Sequence, residues 1–245
     1  MPVEVLDAGL GTGVRAGFTT RAGGTSAGPW EALNLALHVD DDPRRVHANR
    51  ELLAAWVGDV VHFAHQVHGG DVLLVEDGDG DDEHRIGHDG LVTARPGVAL
   101  GVLVADCVPL LLADPVAGVV GAAHAGRRGL VAGVVENTVA AMTRLGASVE
   151  RIAAAMGPAA GGCCYELPAQ LRDEVEQFVP GSAATTTWAT ASVDLRAGVA
   201  ATLDRLGVAT VTTIGGCTIE DQRFYSYRRD RVTGRFAGVV RIMVP

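Results

Sequence analysis

Aromatic residues make up only 4% of this 245-residue chain. No stretch approaches the ~18 consecutive apolar residues that a membrane-crossing helix needs, so none is expected. The opening Met1-Pro-Val-Glu-Val5 lacks the positive and apolar regions of an export signal. Any long basic run is also missing, and the net charge is −9. A nucleic acid or an acidic membrane surface is therefore not expected as a partner. The paired Cys-x-x-Cys spacing of a structural zinc site is absent as well. With no export signal, the four cysteines, Cys107, Cys163, Cys164 and Cys217, read as reduced thiols in a cytoplasmic protein rather than as a disulfide framework.

What is present is apolar and small. Hydrophobic residues reach 48% and charged residues 20%, enough for a sizeable core, and the 32 glycines suit closely packed α/β layers. The length fits one large domain or two small ones. With no linker and no repeat, a single domain over residues 1–245 is the preferred reading. Residues 14–19 read as a short strand, and 21–38 as a loop carrying Arg21, Asn34 and His38. Asp42-Pro43 opens a helix that Gly58 stops. Strands are expected near 60–64 and 71–75. Residues 76–90, with Glu76, Asp77, Asp79, Asp81, Asp82, Glu83, Asp89, His84 and His88, read as a solvated loop. Three apolar runs, 98–105, 108–113 and 118–123, fit strands buried on both faces. One helix is expected from Gly126 to about Leu145, with a strand at 151–156. Helices near 168–179 and 195–206 and strands near 208–214 and 237–243 complete an α/β or α+β pattern.

Cys107 and His124 each end an apolar run at a polar turn, and His68 lies in His65-Gln-Val-His-Gly69. Singly, each has a plain alternative: a core cysteine, a satisfied core histidine, a turn histidine. Together, two imidazoles and a thiolate suit zinc with one coordination position left open, the catalytic pattern rather than the closed structural one. Small neighbours, Ala123 and Ala125, leave room around His124. Gly126-Arg-Arg-Gly129 then opens a helix, which makes an anion site plausible. Gly157-Pro-Ala-Ala-Gly-Gly-Cys-Cys-Tyr-Glu166 is either a loop approaching a ligand or a tight connection with two buried thiols. Gly9-Leu-Gly-Thr-Gly13 hints at a dinucleotide loop, but Val14 stands where that fingerprint requires glycine.

Several segments together resemble one known family. They are Gly17-Phe-Thr-Thr-Arg-Ala-Gly-Gly-Thr-Ser26, Asn34-Leu35, Gln66-Val-His-Gly69, Ala105-Asp-Cys-Val-Pro-Leu110 and Ala122-Ala-His-Ala-Gly126. Gly157-Pro158 with Cys163-Cys-Tyr-Glu166, and Cys217-Thr218 with Phe224-Tyr-Ser-Tyr-Arg-Arg229, complete the set. Over almost its whole length the chain is similar to the YfiH-like proteins. These were once called laccase-domain or polyphenol oxidase proteins and are now described as zinc-dependent purine nucleoside phosphorylases with adenosine deaminase activity.

The resemblance implies a single-domain α/β/β/α sandwich with mixed sheets. It places the metal, Zn2+ with Cu2+ as the alternative, on His68, Cys107 and His124. It implies purine nucleosides and phosphate as substrates. Arg21, Arg128 and the helix start at Gly126 would then hold phosphate, Asn34 and Gln66 would contact substrate, and Asp106 would carry a proton or orient a ligand. A monomer or weak homodimer is expected. Arg127 departs from the family, which usually has Trp there, and Gly162 replaces a frequent Pro.

Three rival readings remain at the level of sequence. A copper phenol oxidase is disfavoured because eight histidines are too few for a multicopper enzyme. A cysteine hydrolase would use Cys107 as nucleophile and His124 as base, and would suit editing of peptidoglycan precursors. The third is a binding module that keeps zinc for structure.

Overall fold

The computed structural model describes residues 3–76 and 86–244. Asp77, Asp79, Asp81, Asp82, Glu83 and His84 of the acidic run lie outside the described residues. The chain begins with β1 (Val5–Asp7) and β2 (Val14–Thr19), followed by the long loop and α1 (Pro43–Val57). Local chemistry sets both ends of α1. The Asp42 carboxylate accepts the Arg44 N–H, Pro43 occupies the first turn, and Gly58 adopts φ 90°, a left-handed cap. Five strands follow: β3 (Val61–His62), β4 (Val72–Leu74), β5 (Gly90–Thr93), β6 (Ala99–Val104) and β7 (Val108–Asp114). Then come β8 (Val119–Ala125), α2 (Arg127–Val131), α3 (Val134–Arg144), β9 (Ala153–Met156) and α4 (Ala169–Phe178). The chain closes with β10 (Ala183–Thr185), β11 (Ala191–Val193), α5 (Leu195–Leu206), β12 (Thr210–Thr213), α6 (Tyr227–Asp230) and β13 (Phe236–Ile242).

Two mixed sheets stack face to face. One has the order β1-β2-β13-β6-β3 and the other β12-β9-β7-β8-β5-β4; β10 and β11 form a separate hairpin. The period-2 alternation of strand side chains builds three apolar layers from these sheets. On β7, Leu110 and Leu112 face Val134, Val135, Met142 and Val199 beneath the outer helices. Leu111 and Ala113 face the other way, against Phe18, Leu100, Val102 and Val240 between the sheets. On β6, Ala99 and Leu103 point outward to Leu53, Val57 and Phe63, where α1 covers the first sheet. The expected α/β/β/α layering is therefore present, and the doubly buried central runs are β6, β7 and β8.

The sequence reading needs three corrections. The expected helix from Gly126 to Leu145 is two helices, because Gly133 takes φ 80° between α2 and α3. β1, β5, β10, β11 and α6 were not anticipated; all but α6 pair through residues too short or too mixed to show a period. Asp89, read as part of a solvated loop, is 1% exposed. Among the described residues no helix is long and apolar enough to cross a membrane.

Asp114 ends β7 and is fully buried. It accepts N–H groups from Val116, Ala117 and Ser148 and pairs with the Arg151 guanidinium at 2.8 Å. Burial pushes its carboxyl up, but the Arg151 bond and the Ser148 and Ala117 N–H groups outweigh that and hold it below the usual range. A lowered carboxylate stabilises the fold above the unfolded value of ~3.9, and that support is lost as pH falls through the lower folded value. Asp114→Asn should therefore cost about 1–3 kcal/mol at neutral pH. The gap to the parent should shrink below about pH 4, read as urea midpoints at both pH values.

Candidate metal centre and its cavity

The three predicted ligands meet where the chain crosses from one sheet to the other. Residues 105–107 connect β6 to β7, so Cys107 stands at the junction. His124 lies near the end of β8, in register with Pro109 of β7. His68 sits in a turn at φ 62°. The two imidazoles approach edge to face, with centroids 4.7 Å apart. Cys107 Sγ is 3.9 Å from His68 Nε2, and one donor atom from each residue lies within 4.8 Å of the others. Tetrahedral zinc would hold a sulfur and a nitrogen about 3.6 Å apart, so the set fits one shared cation with little movement. Gly126 makes the approach possible: a Cβ there would sit 2.8 Å from Cys107 Sγ and 3.1 Å from His68 Cδ2.

Asp89 organises the centre from behind. Its carboxylate accepts the N–H groups of Val67, His68 and Gly69 at 3.0, 3.0 and 2.7 Å. It also accepts His124 Nδ1–H at 2.7 Å. One buried anion thus fixes the turn that presents His68 and the tautomer of His124, leaving His124 Nε2 for the centre, as carboxylates behind metal-binding histidines do. Without a cation the three ligands still form a charged set. Burial pushes the Cys107 thiol up, but His124, then His68, outweigh it and bring it to about 6. Burial pulls His124 down, whereas the Cys107 charge and the Asp89 bond raise it to about 9.

The centre opens into a cavity of about 500 Å³. Gln66 lines it but spends its amide on β6, with Nε2 donating to Leu103 O and Oε1 accepting Leu103 N–H, both at 2.8 Å. Asp106 also lines it, at φ 88°. Its two oxygens accept Thr218 Oγ1–H and Arg228 N–H, each at 2.6 Å. The remaining walls include His38, Tyr165, Tyr227, Arg228, Arg231 and Arg235. Arg228 stacks over Tyr165 with its carbon 4.7 Å from the ring centre. Burial works against the charge of Arg235 and lowers its pKa from the ordinary arginine range.

The other expected site residues fall elsewhere. Asn34 is fully buried and does not line the cavity. Its side chain bonds Ala36, Asp41 and the Arg235 N–H, which makes it a brace for Arg235. Arg21 stacks over Tyr225 and lines a separate depression with Arg229 and Gln222. Arg128 is exposed and is not among the cavity residues. Neither Arg21 nor Arg128 therefore lines the cavity that holds the centre, and the five residues of α2 carry little helix dipole. Arg127 is half-buried and near enough to Tyr165 for its charge to lower that phenol's pKa, against a larger upward push from burial. The reading of residues missed Asp89, which looked like one more acid in an acidic run, and the cavity arginines, which carry no local signal.

Fold and site define a two-sheet α/β protein with a centre of one cysteine and two histidines at a sheet crossover. Residues 15–243 match the family described as multi-copper polyphenol oxidoreductase laccase, and the chain belongs to this laccase-like, YfiH-containing family. It is 54% identical over 226 residues to the Streptomyces griseus protein named purine nucleoside phosphorylase ORF3, covering 91% of this chain and 92% of that one. A Corynebacterium glutamicum protein, also named a purine nucleoside phosphorylase, is 47% identical over 230 residues, 93% of this chain and 94% of its own. The crystal structure of YlmD from Geobacillus stearothermophilus superposes with a TM-score of 0.87 at 35% identity, covering 95% of this chain and 93% of that one.

Proposed function

We propose that this protein is a cytoplasmic, zinc-dependent purine nucleoside phosphorylase. It would convert adenosine, inosine or methylthioadenosine with phosphate to the free base and the ribose 1-phosphate, and deaminate adenosine as a second activity. The observation that carries this reading is the convergence of three arginines and two tyrosines on the cavity that holds the cysteine and the two histidines. Phosphorolysis needs an anion held against a sugar carbon and a flat base held beside it. Guanidiniums supply the first by bidentate bonds, and the phenol rings supply the second by stacking. The chain contains no lysine, so this task falls wholly to arginine.

In the reaction a phosphate oxygen bonds to C1′ while the bond from C1′ to the base breaks, and the base leaves with the electron pair and takes up the proton that the hydrogen phosphate gives up. Arg228, Arg231 and Arg235 hold and orient phosphate, so most of the rate comes from positioning and charge neutralisation. Asp106 has both oxygens engaged, so its role is to position Arg228 rather than to move a proton. When bound on His68, Cys107 and His124, zinc supplies a Lewis acid. Zinc is favoured over blue copper because, among the described residues, no methionine lines the cavity to serve as the weak axial ligand, and Gln66, the glutamine that lines it, has both amide atoms engaged by Leu103.

A second reading has its own observation in favour. Cys107, His124 and Asp89 also form a thiolate–imidazolium–carboxylate set, the pattern of a cysteine hydrolase. The test is to supply metal-loaded protein with adenosine, inosine or methylthioadenosine and phosphate and to measure base and sugar phosphate. No turnover of any of the three defeats the proposal. Arg235→Ala should raise the KM for phosphate about 10- to 100-fold, the equivalent of roughly 1.5–3 kcal/mol for a charged hydrogen bond, with a smaller change in the KM for nucleoside.

A further inference from the structure

We propose that Cys163, Cys164, Cys217 and Glu220 form a second metal site, built for a thiophilic divalent cation such as zinc and serving structure rather than chemistry. One donor atom from each of the four residues lies within 4.8 Å of the others, and none of the four lines the catalytic cavity. Three sulfurs and a carboxylate make a closed set of four. Thiolate-rich sets select zinc over hard cations, and a closed set of four is the structural pattern.

The thiols are free, and Cys163 Sγ and Cys164 Sγ lie 3.1 Å apart, well beyond the ~2.05 Å of a disulfide. Backbone already points at one sulfur as it would at a thiolate: Gly161 N–H donates to Cys217 Sγ at 3.3 Å. Glu220 Oε2 lies 3.5 Å from Cys163 Sγ, and this exposed carboxylate gives an ion a path in.

The site would join two distant parts of the chain. Cys163 and Cys164 belong to the loop after β9 that carries Tyr165, and Cys217 and Glu220 belong to the loop after β12 that carries Thr218. A backbone bond from Thr218 N–H to Ala159 O, at 3.0 Å, already ties these loops. Both bear on the cavity, Tyr165 as a wall and Thr218 as the donor that holds Asp106. The spacing Cys-Cys followed much later by Cys-x-x-Glu matches no paired zinc motif, which is why the sequence concealed it.

The inference does not rest on the nucleoside reading, and its test reads metal rather than turnover. Protein purified under reducing conditions and equilibrated with zinc should hold about two ions per chain. Cys107→Ala and, separately, a Cys163→Ser, Cys217→Ser double variant should each hold about one. Cobalt(II) bound to the Cys107→Ala protein should show intense thiolate-to-cobalt charge transfer from the remaining sulfurs. This spectrum needs no change at the cluster, so it decides the matter even if the double variant does not fold. About one zinc in the parent and none in Cys107→Ala, or cobalt in Cys107→Ala without the charge-transfer band, overturns the proposal.

Discussion

Asp89→Ala is expected to weaken metal binding and to lower stability by about 3–5 kcal/mol, the cost of stranding the partners of a buried charge. The carboxylate is buried and accepts four donors, three from backbone and one from His124. Alanine leaves all four without their acceptor. Metal affinity should fall about 10- to 100-fold, the usual consequence of removing the group that orients a ligand histidine. Asp89→Asn keeps the shape and part of the accepting capacity, so it should melt between parent and alanine variant. Acid should act in the same direction as the mutation. Burial raises the Asp89 carboxyl, but the His124 bond, the Gly69 N–H and the His124 charge outweigh it and set it below the usual range. Its support is present above the unfolded value of ~3.9 and is lost as pH falls through the lower folded value. Chelator competition and thermal melts of the three proteins check both effects. An alanine variant that binds and melts like the parent would remove Asp89 from the centre.

Cys107→Ala carries the other large expectation. If the thiolate is a metal ligand, zinc at the catalytic centre and phosphorolysis disappear together, with a loss on the order of 10³-fold in kcat/KM, equivalent to about 4 kcal/mol. The fold should survive, because Cys107 is only partly buried and loss of its sulfur leaves a small space beside an open cavity. If Cys107 is instead a nucleophile, the variant retains zinc on His68 and His124 and loses hydrolysis alone. Metal analysis alongside the phosphorolysis assay separates these results.

Local chemistry made parts of this molecule readable. The ends of α1 follow from Asp42-Pro43 and Gly58, and the three central strands from apolar runs cut by Asp106-Cys107 and Asp114-Pro115. His68, Cys107 and His124 stood out because each interrupts an apolar or glycine-rich stretch, and the fold brings them together. The cavity wall was not readable in the same way. Arg235 reaches its place because Asn34, 201 residues earlier, accepts its backbone N–H. Asn34 was legible as a residue of interest but not as a brace, since its partners come from tertiary contact. Asp89 was hidden by composition: nothing in the sequence of an acidic run marks it as a carboxylate that folds inward.

The centre is carried by the turn at His68 and by the ends of strands whose faces are wholly buried, so its donors are fixed by the same packing that holds the two sheets together. Tyr227, Arg228, Arg231 and Arg235 instead come from one short stretch, α6 and the loop that leads from it to β13. Descendants of such a chain can exchange that stretch, and with it the molecules they accept, while inheriting the reactive centre unchanged. A library confined to Tyr227, Arg228 and Arg231 would therefore sample new specificities, whereas Arg229, Thr233 and Gly234 of the same stretch are tied into the scaffold and should be left unchanged.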